Sequence, residues 1–180
     1  MIHLSEVQQK FILHWGEMGT RWGINRTVAQ IHALLYITPR ALNAEEITEA
    51  LSVARSNVSN SLRELQGWGI VKVVHVLGDR RDHFESMKDV WEMFRVIMDE
   101  RKRREMDPTL ALLKECREEA EAADAKDDYA VERLKEMESF FETTTAWYSQ
   151  LRNWPTKAIL HFVKLGDKAA KILGLGKPNP

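Results

Sequence analysis

Hydrophobic residues recur three and four positions apart along most of this chain, which is the period of an amphipathic helix. The pattern predicts a first helix over residues 4–18, which a series of glycines starting at Gly16 then breaks. Asn25 precedes a second apolar helix that Pro39 stops, and we expect this helix to lie in the core of the protein.

Two short helices joined by a tight turn are predicted next. Asn43, with Glu46 three residues later, is a helix-start signal, and a short apolar stripe follows it. After the connection at residues 52–54, a second helix runs over residues 55–66, with Gly67 as its C-terminal stop. The pair predicts a helix-turn-helix.

The outward face of the second of these helices is polar and almost free of acidic residues. If Val58, Leu62 and Leu65 point inward, the opposite side carries Ser56, Asn57, Ser59, Asn60 and Arg63. Small polar side chains allow close approach to base edges, and arginine and asparagine make bidentate contacts with guanine and adenine. The face therefore predicts direct contact with DNA, and an ordinary solvated face is the alternative.

A β-hairpin is predicted after the helix-turn-helix. Residues 70–76 are rich in β-branched side chains, residues 77–82 form a loop, and residues 83–86 form a short second strand. A helix-turn-helix followed by such a hairpin is a winged helix, and Arg80 and Arg81 at the predicted tip are suited to a minor groove or a phosphate. The alternative is that these arginines pair with the aspartates of the same loop.

Residues 88–180 contain no convincing strand and are predicted to be helical. Separate helices are expected to begin near Val90, with Trp91 and Phe94 on its apolar side, and at Asp107-Pro108; a turn is placed in the acidic stretch 118–128.

A long helix and a last helix complete the predicted C-terminal half. In the long helix Leu134, Phe141 and Tyr148 recur every seven residues, which is typical of a helix that packs on another helix. The last helix extends to Leu173, ahead of a tail rich in glycine and proline. Dimerisation would cover the apolar seam of the long helix, and packing within the chain is the alternative.

Taken together, these elements predict a mainly α protein. It is a winged helix-turn-helix with a two-stranded wing, followed by long C-terminal dimerisation helices. We expect residues 1–87 to form the N-terminal helices and the DNA-binding domain, and residues 88–180 to form a helical dimerisation and effector region.

Charge changes this picture only when it is counted by region. The 180 residues hold 26 Lys and Arg against 27 Asp and Glu, so the formal net charge is −1. Residues 52–81, however, carry five basic and two acidic residues, whereas residues 113–142 carry five basic and eleven acidic residues. A neutral total is therefore compatible with DNA binding on one face. An unevenly charged, solvated surface is the alternative.

Composition excludes several other classes. A hydrophobic content of 44% can build a core and excludes disorder of the whole chain. The single cysteine, Cys116, and six histidines without a helical HxxxH pair predict no metal site. No phosphate loop or nucleophile elbow is present, so we expect no enzyme, no catalytic residue and no cofactor. No targeting or membrane-spanning segment is recognisable, which predicts a cytoplasmic protein.

Residues 16–86 resemble the GbsR/MarR group of winged-helix transcription regulators. The stretches that carry the resemblance are residues 23–36, residues 51–65, Trp68-Gly69-Ile70-Val71 and Gly78-Asp79-Arg80-Arg81. The resemblance implies a DNA-binding homodimer whose terminal helices form the dimer. The implied DNA contacts lie on the helix of residues 55–66 and on the wing, at Arg55, Ser56, Asn57, Ser59, Asn60, Arg63 and Arg80 or Arg81.

The resemblance has one departure and leaves one question open. Ala54 stands where related sequences often have serine, so the helix after it is expected to lack a side-chain N-cap unless Ser52 substitutes, a loss of about 1 kcal/mol. Some members of the group are associated with choline or glycine betaine, and six tryptophans could form an aromatic cage. Core packing is the commoner role of such residues, so no ligand site is transferred.

The function predicted from the sequence is a regulator that binds operator double-stranded DNA as a homodimer. Repression by promoter occlusion is the expected mode, with activation and a small-molecule effector left open. The alternative is a winged-helix module for protein interaction, with the acidic helices as its docking surface.

Overall fold

The computed structural model describes residues 2–122 and 128–172. The chain divides between Ile97 and Met98 into two compact units. Of the stretch 118–128 in which a turn is predicted, residues 118–122 belong to a helix and residues 123–127 lie outside those described, as do Leu173 and the tail after it. The predicted assignment of residues 1–87 and 88–180 to separate roles stays a prediction.

The first unit is a winged helix, as the sequence predicts. Its elements in chain order are α1 (Glu6–Arg21), α2 (Arg26–Ile37), β1 (Leu42–Asn43), α3 (Ala44–Leu51), α4 (Arg55–Gly67), β2 (Val71–Val76), β3 (Asp79–Ser86) and the start of α5 (Val90–Arg101). The three strands form an antiparallel sheet in the order β1-β3-β2. The two-stranded wing is thus extended by β1, which pairs Leu42 with Phe84 and Asn43 with His83.

The predicted break of the first helix at Gly16 is wrong. Helix α1 runs through Gly16 and Gly19 and ends at Arg21, and only Gly23, at φ 77°, adopts a left-handed conformation. A Cβ atom placed on Gly19 would lie 2.5 Å from the Cβ atom of Ala29 in α2. These glycines therefore allow α1 and α2 to pack closely, and they do not act as helix breakers.

The core of the first unit is built from α2, α3, α4 and the base of the sheet. Among its fully buried side chains are Ile31, Leu34, Leu42, Ile47 and Leu65. Helix α3 starts at a polar cap that the sequence signals: the Asn43 side chain accepts from the Glu46 N–H, and the Glu46 carboxylate accepts from the Asn43 N–H.

Helix α4 agrees with the expectation at its N-terminus and differs from it at its C-terminus. As predicted, Ala54 offers no side-chain cap, and Ser52 does not replace it because Ser52 ends α3 in a left-handed conformation at φ 52°. Gly67 lies inside the helix, and the left-handed residue that follows the helix is Gly69, at φ 79°. The N–H of Ile70 donates to the carbonyl of Leu65 and closes this end.

The apolar side predicted for α5 is buried only in part, since Ile97 on that side packs against the core. Val90, Trp91 and Phe94 are exposed, whereas Met93 is buried and joins the core of the first unit. The sequence pattern gives the spacing of apolar residues on a helix but not which of two adjacent apolar stripes another element covers.

The second unit contains helices only in its described part. Helix α5 is followed by a π-helical segment, Lys102–Met106, and by α6 (Asp107–Ala122), which begins at the predicted Asp107 but without a break in the helical structure before it. Helix α7 (Asp128–Arg152) and helix α8 (Thr156–Ile172) follow.

Helices α6 and α7 pack against each other in antiparallel directions. Lys114 pairs with Glu142 at 2.6 Å, and Arg117 pairs with Glu138 at 2.7 Å. Leu134, Phe141 and Tyr148 are half-buried, while neighbouring apolar positions on α7 stay exposed. Packing within the chain therefore covers part of the apolar seam of α7.

Candidate nucleic-acid interface

The outward face of α4 has the composition that its sequence predicts. Val58, Leu62 and Leu65 are buried, which turns the opposite side of the helix to solvent. The exposed polar residues on that side are Arg55, Ser56, Asn57, Ser59, Asn60 and Arg63. The structure therefore brings all six predicted α4 residues onto one accessible surface.

Arg63 and Asn60 form a pair on this surface. The Nη1 atom of Arg63 donates to Oδ1 of Asn60 at 3.1 Å, across one turn of the helix. No acidic side chain pairs with Arg63 among the residues that the structure describes. The guanidinium is thus oriented by a neutral partner, and no carboxylate of the described residues balances its charge.

The wing arginines lie in strand β3 and not at the tip of the hairpin. The turn is formed by Leu77 and Gly78, and Gly78 adopts φ 86°. The predicted loop at residues 77–82 is too long because the β-branched pattern ends before the pairing does: Val76 still pairs with Asp79. Arg80 and Arg81 follow directly in the strand, where successive side chains point to opposite faces.

Arg80 and Arg81 have different surroundings. Arg80 is exposed and has no ion pair in the described part of the chain. Arg81 pairs with Asp79, with Nη2 at 2.5 Å from Oδ2 and Nε at 2.9 Å from Oδ1. The Arg81 guanidinium holds the pKa of the Asp79 carboxyl far below its ordinary value. For Arg81, the pairing offered as the alternative from the sequence is present.

Glu45, in the first turn of α3, is the residue of this surface that the sequence did not single out. Its Oε1 lies 2.5 Å from Nη1 of Arg55, and its Oε2 lies 3.4 Å from Nη1 of Arg81. The hydrogen bond from Arg55 is the main cause that lowers the pKa of the Glu45 carboxyl. Glu45 thus connects the start of α4 to the wing.

These groups surround a cavity of about 370 Å³ between α4, α3 and the sheet. Glu45, Arg55 and Arg81 line it together with Ser59, Arg63 and Phe84. The surface is therefore concave and mostly polar, and its basic groups come from α4 and β3.

The described residues do not meet the requirements of a metal site or of a membrane-spanning helix. Within residues 2–122 and 128–172, no three His, Cys, Asp or Glu side chains gather as metal ligands. His83 pairs across the hairpin with Val74 and not with His75. None of the helices in the described ranges is long and apolar enough to cross a membrane.

Part of this chain is similar to known proteins. Residues 22–82 match the model of the MarR family. The chain is 23% identical over 91 residues to YvaV of Bacillus subtilis (strain 168), an HTH-type transcriptional regulator by name. That alignment covers 51% of this chain, and the chain spans about half the length of this curated relative.

One solved structure supports the fold. A crystal structure of a transcriptional regulator aligns with a TM-score of 0.56 and 21% identity, over 81% of this chain and 95% of that one. A mutant of MepR from S. aureus, bound to an oligodeoxyribonucleotide, aligns with a TM-score of 0.38 and 17% identity, over 81% of this chain and 92% of that one.

The fold of the first unit and the matched segment agree on a winged helix. Over residues 22–82 the chain is similar to the MarR family, and the curated relative that it matches is named as a transcriptional regulator. The narrower resemblance to the GbsR branch stays a prediction.

Proposed function

We propose that this protein is a transcriptional regulator that binds operator DNA as a homodimer, with α4 in the major groove and the wing on the adjacent backbone. The observation that carries the proposal is the outward face of α4, where six polar residues are exposed together and none is acidic. Contact with base edges in a major groove requires small hydrogen-bonding side chains and arginine without acidic neighbours, and a helix face exposed only to solvent does not require them.

The details of α4 support contact with both bases and phosphates. Ser56, Ser59 and Asn60 are short, so the helix can approach a groove closely, and Arg63 is long enough to reach guanine from it. The first turn of α4 has no acidic residue and no side-chain cap. Its N–H groups are therefore compatible with a DNA phosphate, which a helix N-terminus favours.

The wing supports the same orientation. Arg80 is exposed and unpaired in the described part of the chain, beside a turn whose Leu77 is fully exposed. Such a turn is narrow enough to follow the DNA backbone, and Arg80 then reaches a phosphate or the minor groove. We assign the wing contact first to Arg80, because Arg81 is already held by carboxylates.

The homodimer is supported by the second unit. Met137, Phe140 and Trp147 occur three to seven residues apart on α7 and are 49%, 61% and 55% exposed. Apolar residues that line one side of a helix and remain in water mark a protein interface more often than a solvent face. Two copies would also present two copies of α4, which suits an operator with two half-sites.

Repression by occlusion of a promoter in the cytoplasm is the mode we propose for the bound dimer. A small-molecule effector that releases the DNA is compatible with a group of this kind, and we assign it no site.

The test is a selection of bound fragments from the source genome, followed by binding to the selected fragment and to random DNA. Arg63→Ala should reduce the difference in binding free energy between the two DNAs by about 1–3 kcal/mol if Arg63 makes a bidentate base contact. Arg21→Ala, which removes an exposed arginine at the end of α1, is the matched control and should leave the difference unchanged.

Two results would contradict the proposal. Equal binding of the wild type to all fragments, at any salt concentration, would favour a protein-interaction module. Unchanged discrimination in Arg63→Ala would remove this arginine from base recognition.

A further inference from the structure

Glu45 holds two of the four arginines on the proposed DNA-binding surface. Its carboxylate reaches Nη1 of Arg55 at 2.5 Å and Nη1 of Arg81 at 3.4 Å. Asp79 takes the remaining nitrogens of Arg81. These two guanidiniums therefore point at carboxylates of their own chain and not at solvent anions.

The other two arginines of the surface are treated differently. Arg63 donates to the neutral amide of Asn60, and Arg80 has no carboxylate partner among the residues described. The pairing is thus selective: within the described part of the chain, two of the four arginines have a carboxylate of the same chain beside them, and the other two do not.

Helix capping does not account for Glu45. A carboxylate in the first turn of a helix is favourable because of the helix dipole. In α3, however, Asn43 and Glu46 already form a complete capping box, and Glu46 is also paired with Arg40 at 2.6 Å. The Glu45 carboxylate is left for α4 and the wing, which lie 10 and 36 residues further along the chain.

The pairs can be exchanged for pairs with DNA. The side chains of Glu45, Arg55 and Arg81 are 52%, 57% and 55% exposed, so all three remain accessible. Exposed ion pairs contribute little each, typically below about 1 kcal/mol, and a phosphate offers the same charge-assisted geometry as a carboxylate. A DNA strand that reaches Arg55 or Arg81 must break these pairs and leave Glu45 facing phosphates.

We propose that Glu45 is a positioning residue that lowers the affinity of this protein for DNA by keeping Arg55 and Arg81 in ion pairs that DNA has to break. The inference rests on the proposed function. It gives the surface a built-in attenuator, which keeps binding weak enough to be reversed although four arginines are available.

The test compares Glu45→Gln with Glu49→Gln on the selected operator and on random DNA at several salt concentrations. Both variants remove one negative charge from α3, but Glu49 has no ion pair in the described part of the chain. Glu45→Gln should bind both DNAs roughly three- to tenfold more tightly than Glu49→Gln does. Thermal unfolding of both variants verifies that each is folded.

A second background shows whether the effect passes through the arginines. In a protein that carries Arg55→Gln and Arg81→Gln, the gain from Glu45→Gln should fall to that from Glu49→Gln. Equal gains from the two glutamine variants in the wild-type background would overturn the inference, as would weaker binding by Glu45→Gln. Either of these results leaves the proposed function intact. A wild-type protein that binds no DNA fragment would overturn both the inference and the proposed function.

Discussion

The two units of this chain bury their apolar side chains to very different degrees. In the first unit, helix α2 alone contributes seven buried residues to a closed core. In the second, helices α6 and α7 are described throughout and contain no buried residue, although Phe140 and Trp147 are large and apolar. The same helical periodicity thus marks a finished core in one unit and an uncovered surface in the other, which is why we assign DNA recognition to the first and pairing of copies to the second.

The largest expected effect separates the two sides of α7. Phe140→Asp should weaken the dimer by about 2–4 kcal/mol, as a central interface residue does, while the helix content stays unchanged. Phe141→Asp should instead reduce helix content, because half-buried Phe141 lies on the side of α7 whose Glu138 and Glu142 pair with α6.

Light scattering and circular dichroism of the two variants measure these outcomes. The comparison between the units fails if Phe140→Asp remains a dimer, or if both substitutions unfold the helices alike.

The second expected effect depends on His32, which belongs to the closed core. Its side chain is buried, and Nε2 has no hydrogen-bond partner in the described structure. Burial, assisted by the nearby charge of Lys88, lowers the pKa of His32 from 6.5 to about 4. Between pH 6.5 and about 4, the unfolded chain therefore binds a proton at His32 and the folded chain does not.

The contribution of neutral His32 to the free energy of unfolding is fully present above pH 6.5 and is lost as the pH falls towards 4. The total loss in the free energy of unfolding is about 3.5 kcal/mol, since one pKa unit corresponds to roughly 1.4 kcal/mol. Urea denaturation at a series of pH values measures it. His32→Leu should flatten this part of the profile, and His14→Gln, an exposed histidine of α1, should not; a wild-type profile that is already flat would disprove the claim.

The smallest expected effect tests how tightly the first unit is packed. Gly19→Ala places a Cβ atom 2.5 Å from Ala29, so α1 and α2 must separate, at a cost of about 1–3 kcal/mol. Gly67→Ala is the control, because a Cβ atom there meets nothing within 4 Å. That control should be neutral or stabilising by up to about 1 kcal/mol. Equal melting temperatures of the two variants would contradict the close approach.

The parts of the fold that the sequence predicts are those with local causes. Helices α2 and α3 begin at Asn25 and Asn43, and in both helices the capping contact lies within three residues of the chain. The outward face of α4 follows from three inward apolar residues on the same helix. Caps and helical periods are properties of neighbouring residues, so no knowledge of the tertiary structure is needed to read them.

The features that escape prediction depend on contacts distant in sequence. Gly16 and Gly19 look like helix breakers until α2 is placed against them. Strand β1 has only two residues, too few for an alternating pattern, and exists because β3 pairs with it. Glu45 looks like an ordinary first-turn acid, and its role in the surface depends on Arg55 and Arg81 from other elements.

The central claim is that two copies of α4 bind an operator in neighbouring major grooves. Chemical protection of guanine and adenine on a selected genomic fragment tests this most directly. We predict two protected major-groove segments whose centres lie about one turn of the double helix apart, roughly 10 base pairs, or a multiple of that. Arg63→Ala should lose this protection. A single protected segment, or protection that does not depend on the fragment's sequence, would contradict the account.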